Sequence, residues 1–172
     1  MIKQVDAQEL SHNLDSYVEL LCDVVENGAS VNFIAPMSKE DAVDYWRRIA
    51  EQIERGERLV LVDEEVGLRG CVHLIPATTP NGRHRAEVQK VLVHSSQRRR
   101  GIGKALMNAI EAQARQMGIK LLVLDTERDS SGEALYTACG WQRAGVIPQF
   151  ALNHDGSKYV DTVYFYKLLG NE

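Results

Sequence analysis

The segment from 86 to 126 constrains the fold of this chain more than any other. It reads AEVQKVLVHSSQRRRGIGKALMNAIEAQARQMGIKLLVLDT. A strand pattern over 86–94 comes first, with Glu87, Gln89, Val91 and Val93 expected on one face and Val88, Lys90 and Leu92 on the other. An arginine–glycine stretch follows. Then Ile102, Leu106, Ala109, Ile110, Ala114 and Met117 form an apolar stripe at helical spacing, and Gly118 ends it. KLLVLDT is apolar almost throughout, as expected of a central strand covered on both faces. Strand, helix and strand in that order predict a right-handed crossover between parallel neighbours.

The flanking sequence adds antiparallel pieces. Residues 1–6 suggest a short strand. Leu10, Leu14, Tyr17, Val18, Leu21, Val24 and Val25 predict a helix over 7–27, stopped by Asn27-Gly28. Residues 29–37 read as irregular. Ser38 to Asp41 open a second helix that reaches about residue 55, with Ala42, Tyr45, Trp46, Ile49 and Ile53 on one face and Gly56 after its end. RLVLVDEE and GLRGCVHLIP read as a hairpin. Ser130 and Glu133 have capping-box spacing for a short helix through Cys139. WQRAGVIPQFAL and KYVDTVYFYKLL are strands joined across an Asp-Gly turn. The fold class is therefore α/β (α+β): a central, mostly antiparallel mixed sheet containing one parallel pair, with about four helices. A chain of 172 residues fits a single domain, 1–172.

Composition bears on partners. A net charge of −4 and a pI near 5.8 argue against a nucleic-acid binder, since phosphate neutralisation demands a basic domain. The arginine triplet is a local feature on an acidic protein. Cys22, Cys71 and Cys139 are odd in number and far apart, which predicts reduced thiols rather than a disulfide framework or zinc site. No metal spacing occurs among the histidines. The first residues hold no apolar run of signal-peptide type, and no stretch approaches a membrane span, so a cytoplasmic protein without membrane contact is expected.

Gly101 and Gly103 lie between a strand and a helix start, where the backbone can turn sharply and unpaired N–H groups favour an anion. A Walker A loop is excluded because Ala105 follows Gly103-Lys104 and no glycine lies five residues before Gly103. A dinucleotide fingerprint is excluded because Leu106 occupies the third glycine position. A coenzyme A pyrophosphate loop, Arg/Gln-x-x-Gly-x-Gly/Ala, fits Arg98 to Gly103 at each fixed position, and a solvated turn also stays open on the loop alone.

The surroundings favour the third. EVQKVLVHSSQRRRGIGKALMNAIEAQARQMGIKLLVLDT, followed by EALYTACGWQRAG, resembles the GNAT (Gcn5-related N-acetyltransferase) family in two motifs at the right separation. The resemblance covers about residues 57–168, and more loosely the two N-terminal helices. RAEVQK, LDTE and a late Asp-Gly turn are similar in outline to the tabtoxin-resistance type of that family. The resemblance implies the GNAT acyl-CoA N-acyltransferase fold with a splayed parallel strand pair. It divides the domain into acceptor-site helices, 1–56, and a sheet core with the acetyl-CoA site, 57–169.

It also implies residue roles. The main chain of Val91, Leu92 and Val93 would bind the pantetheine arm, and an N–H near Val91 would serve as oxyanion donor. The amides of Arg98, Arg99, Arg100, Gly101, Ile102, Gly103 and Lys104 would bind the pyrophosphate. Tyr136 stands where the family carries a phenol near the sulfur; a phenol is protonated at neutral pH and can donate to a thiolate. Glu87 lies about 20 Å of strand from Val93, near the acetyl end. Glu87 and Asp125, which ends the neighbouring strand, would flank the cleft and accept the amine's proton through water. Asn32, Phe33 and Trp46 are candidate acceptor contacts. Asp129 stands where many relatives carry an Asn, and Gly132 where Ala is frequent, so contacts from that loop are in doubt. His94 reads as a surface residue.

The activity implied is transfer of acetyl from acetyl-CoA to a primary amine of a small molecule, an amino acid-like toxin or antibiotic included. No metal is required. The alternatives are a non-catalytic acyl-CoA-binding sensor and a protein N-acetyltransferase. Exposed C-terminal strand edges would allow a homodimer.

Overall fold

The computed structural model describes residues 1–29 and 31–170; Ser30, inside the irregular segment 29–37, and residues 171–172 lie outside it. Seven strands form one sheet: β1 (Ile2–Val5), β2 (Leu59–Glu64), β3 (Leu68–Pro76), β4 (Arg85–Val93), β5 (Leu121–Glu127), β6 (Gln142–Leu152) and β7 (Tyr159–Leu168). They lie in the order β1-β2-β3-β4-β5-β7-β6, and among the described residues only β4 and β5 run parallel. The predicted crossover and both hairpins are present.

Among the described residues five α-helices stand where about four were expected: α1 (Ala7–His12), α2 (Leu14–Glu26), α3 (Lys39–Glu54), α4 (Ile102–Gln116) and α5 (Ser131–Ala138). The periodicity over 7–27 is real, but Asn13 divides it. Its backbone leaves helical angles (φ −105°, ψ 24°), and its side-chain amide donates to the Glu9 carbonyl at 3.0 Å. An asparagine that bonds its own backbone competes with the helix ladder. The predicted caps hold elsewhere: Ser38 accepts from the Asp41 N–H, and Ser130 from the Glu133 N–H.

The sheet is covered on both faces. On one, α4 and α5 bury Leu106, Ile110, Leu122, Leu124 and Phe165. On the other, α1 to α3 bury Leu10, Leu21, Val24 and Trp46 against Val60, Val62 and Leu92. Alternation along β2 serves both, since Val60 and Val62 face one core and Leu61 the other.

Two irregularities in β4 shape the centre. Its pairing to β5 covers only Arg85–Leu121, Ala86–Leu122 and Glu87–Val123, after which the strands part. Its pairing to β3 shifts between His73–Gln89 and Cys71–Leu92, so Lys90 and Val91 together oppose Val72. This is a β-bulge, with Lys90 in the left-handed region at φ 52°. The bulge corrects the expected two-faced alternation of β4: Val88 shares a core with Val91 and Val93, while Leu92 joins the opposite core. An extra residue reverses the facing of everything beyond it.

Candidate active site

The parting of β4 from β5 opens a cleft of about 660 Å³. Glu87, Gln89, Lys90 and Val91 line it from β4, Asp125 and Glu127 from β5, and Tyr136 from α5. Asn32 contributes from the irregular segment, and Phe150 and Tyr164 from the last hairpin. The cleft thus brings together Glu87, Asp125, Tyr136, Val91 and Asn32, five residues singled out from sequence.

Tyr136 is buried and its ring packs between Trp141 and Phe165, with centroids 6.3 and 6.1 Å away. Burial first, and then the Asp125 carboxylate, push its phenol well above the ordinary value. The hydroxyl therefore holds its proton throughout the neutral range. Asp125 accepts from the Thr162 hydroxyl at 2.7 Å, from the neighbouring strand β7. Glu87 is half-buried and accepts from the Gln89 amide at 2.8 Å, and it forms no ion pair among the described residues.

Beyond the open edge of β4, a short 3-10 turn over Ser95–Gln97 leads to the glycine loop. Asp23 of α2 accepts from both the N–H and the hydroxyl of Ser95 at 2.6 Å, fixing the loop's entry. Gly101 is the N-cap of α4 at φ 80°, and Arg99 also takes a positive φ of 61°. Among the described residues none accepts from the N–H groups of Arg99 to Lys104. A run of unpaired N–H groups at a helix N-terminus is an anion cradle, and it fits a pyrophosphate without any metal. The described residues hold no cluster of metal-ligating side chains. Arg98 turns back, its guanidinium donating to the carbonyls of Val93 and Asn27 at 3.4 Å, while Arg99, Arg100 and Lys104 are exposed.

Three expectations are redirected. Trp46 is 0% exposed, packed between Tyr17 and His73, so its side chain cannot touch a substrate; the helical apolar stripe marked it for the core. Phe33 lies outside the cleft lining, against Tyr45 and 5.7 Å from the Lys90 ammonium. His94 is no free surface residue: its ring accepts from the Ser96 N–H and lies 3.7 Å from Asp23. The doubt over Asp129 is met in part, for its N–H donates to Glu133 and its side chain is 91% exposed.

Sequence reading missed Lys90, Gln89 and a buried network behind them. Arg58 donates to His73 Nδ1 at 2.9 Å, to Gln52 at 2.7 Å and to Gln89 at 3.5 Å. His73 is fully buried and held neutral by burial and by Arg58. No local signal marks such contacts, because their members lie on α3, just before β2, on β3 and on β4.

The family model described as acetyltransferase (GNAT) family matches residues 22–141. Human N-acetyltransferase 8 is 33% identical over 94 residues, which is 54% of this chain and 41% of that protein's length. The matched part is thus under half of that relative. Among solved structures, a ribosomal-protein-alanine N-acetyltransferase of Brucella melitensis shares 22% identity, with a TM-score of 0.78 over 98% of this chain and 99% of its own. The putative acetyltransferase yncA of Salmonella typhimurium, solved with its cofactor acetyl-CoA, shares 18% identity, with a TM-score of 0.78 over 100% of this chain and 95% of its own.

Proposed function

Because the chain belongs to the acetyltransferase (GNAT) family, whose cosubstrate is acetyl-CoA, we propose that it acetylates a primary amine of a small molecule. The observation that carries this reading is one cleft in which an open strand edge, a proton-holding phenol and two carboxylates meet. Acetyl-CoA supplies the activated acetyl thioester. Every other task falls to this chain.

The N–H groups of Arg99 to Lys104 hold the pyrophosphate, with Arg98 supporting the loop rather than reaching outward. The main chain of Val91, Leu92 and Val93, on the edge of β4 that no longer pairs with β5, binds the pantetheine arm, and the Val91 N–H serves the developing oxyanion. Glu87 and Asp125 attract the acceptor's ammonium and take its proton through water, which leaves the amine free to attack. Tyr136 gives its hydroxyl proton to the departing sulfur. Asn32, on the covering segment, contacts the acceptor.

The acceptor class extends to an amino acid-like toxin or antibiotic, as in the tabtoxin-resistance type that RAEVQK and LDTE resemble. One observation favours protein N-acetylation as a second reading: the fold likeness to the Brucella ribosomal-protein-alanine enzyme. The retained Tyr136 speaks against an inert acyl-CoA sensor. The reading takes residues 1–172 as one domain, with 1–56 on the acceptor side and 57–169 around the acetyl-CoA site. Three free thiols suit a cytoplasmic setting. No helix among the described residues is long and apolar enough to cross a membrane. Val146, Ile147 and Leu152, exposed on the sheet-edge strand β6, favour a homodimer.

The test is acetyl-CoA consumption across small amines, amino acids, aminoglycosides and N-terminal peptides. Turnover confined to peptides moves the reading to protein acetylation. Tight acetyl-CoA binding with no turnover moves it to the sensor.

A further inference from the structure

The cleft is not uniformly acidic. Among the described residues its charged lining comprises Glu87, Asp125, Glu127 and Asp161 on one side of the balance and a single cation, Lys90, on the other. An unbulged β4 would turn this side chain to the opposite face. The bulge, with φ 52° at Lys90, brings its ammonium to the Val31 carbonyl at 2.8 Å, and Val31 itself lines the cleft. Lys90 forms no ion pair with any carboxylate among the described residues. One carbonyl and the Phe33 ring are its partners, so donor capacity remains.

The carboxylates near enough to favour the Lys90 charge, Asp125 and Glu87, both line the cleft. Phe33 stacks edge-on against Tyr45, whose buried hydroxyl has no hydrogen-bond partner among the described residues. Arg58, which after burial lowers Lys90's proton affinity, has neutral hydrogen-bond partners among the described residues, His73, Gln52 and Gln89, and feels the Glu87 carboxylate. Two cations around one bulge are costly to bury together, and an anion arriving at Lys90 relieves that cost.

We propose that the acceptor carries an oxyanion beside its amine, and that Lys90 binds this oxyanion while Glu87 and Asp125 face the amine. The proposal rests on the acetyl-transfer reading above and adds its substrate class: a small amino carboxylate or an equivalent aminated oxyanion. It also gives the cleft polarity, with the two ends of a zwitterion held by opposite charges.

Matched pairs test it: glycine and glycinamide, β-alanine and β-alaninamide, L-methionine and L-methioninamide. Each amide's amine holds its proton less tightly than the acid's, which alone would favour the amide. The parent protein is expected to show at least about tenfold higher kcat/KM for the best acid than for its amide, the scale of a hydrogen bond to a charged group. Lys90→Met is expected to raise KM for the acid about tenfold or more and to leave the amide within about twofold. Equal use of both forms by the parent, or an equal loss on both in K90M, overturns the proposal; the latter means that Lys90 only tethers the 29–37 segment. Calorimetric titration of the same pairs into the CoA-loaded protein gives a readout apart from turnover. If acetyl-CoA binds but no amine releases CoA, the transfer reading falls; preferential binding of the acid, lost in K90M, still sustains the Lys90 assignment, and its absence overturns that too.

Discussion

Gly103 packs directly on Leu135: a Cβ at Gly103 would lie 3.2 Å from Leu135 Cδ2. The first turn of α4 is thereby pressed against α5, the helix that carries Tyr136. The two glycines of the loop consequently do different work. Gly101 has nothing within 4 Å of a would-be Cβ, but its φ of 80° is left-handed.

The glycine pair can be separated by substitution. Gly101→Ala is expected to cost about 1 kcal/mol through backbone strain alone, with little effect on acetyl-CoA binding. Gly103→Val is expected to cost more in stability and to weaken both acetyl-CoA affinity and turnover, because it must push α4 from α5. Thermal unfolding and acetyl-CoA calorimetry on both variants check this. Equal effects would show that the Gly103–Leu135 contact can yield.

Tyr136→Phe keeps the ring packed against Trp141 and Phe165 and removes only the hydroxyl. Turnover is expected to fall about ten- to a hundredfold, the range of a lost acid–base group, with acetyl-CoA affinity unchanged. Undiminished kcat would remove Tyr136 from the mechanism.

Glu87→Gln and Asp125→Asn distinguish the two carboxylates. Asp125 is already held by Thr162, whereas Glu87 is held only by a side-chain amide on its own strand. The acid limb of kcat/KM against pH is expected to disappear in the Glu87 variant and to persist in the Asp125 variant. A Glu87→Gln profile that overlays the parent's would assign the proton transfer elsewhere.

Lys90 also writes itself into stability. Burial, with Arg58 next, lowers its folded pKa to about 8, against opposing effects from Asp125, Cys71 and Glu87. Between about pH 8 and the unfolded value of about 10.4, only the unfolded chain binds the proton, so stability rises with pH there. Urea midpoints at pH 7.5 and 9.5 should therefore move in favour of the parent relative to Lys90→Met. An unchanged difference would mean that the ammonium is better solvated than its surroundings imply.

Glu111 of α4 is 4% exposed and accepts from the Trp141 indole at 2.9 Å and from Lys167 at 2.8 Å. Glu111→Ala leaves a buried donor and an ammonium without their shared acceptor. A loss of about 3 kcal/mol in chemical unfolding is expected. A loss under about 1 kcal/mol would mean that water replaces the carboxylate.

What the sequence determined by itself was local and periodic. The strand–helix–strand unit, both hairpins, the caps at Ser38 and Ser130 and the glycine turn at Gly101 depend on residues a few positions apart. The loop amides and Tyr136, to which the proposed chemistry is assigned, lie on those pieces. Tertiary structure alone decided what depends on distant partners. Asn13 divided a helix whose periodicity runs unbroken. A single extra residue at Lys90 reversed the facing of β4 beyond it, which a strict two-residue alternation cannot express. Trp46 went to the core because α3 turns that face onto α2 and β3. Arg58, His73 and Gln89 met around the bulge from just before β2 and from two strands, β3 and β4, and the cleft exists because β4 and β5 stop pairing after Glu87 and Val123. Such contacts are set by how the layers pack, and packing is a property of the whole chain rather than of any window along it.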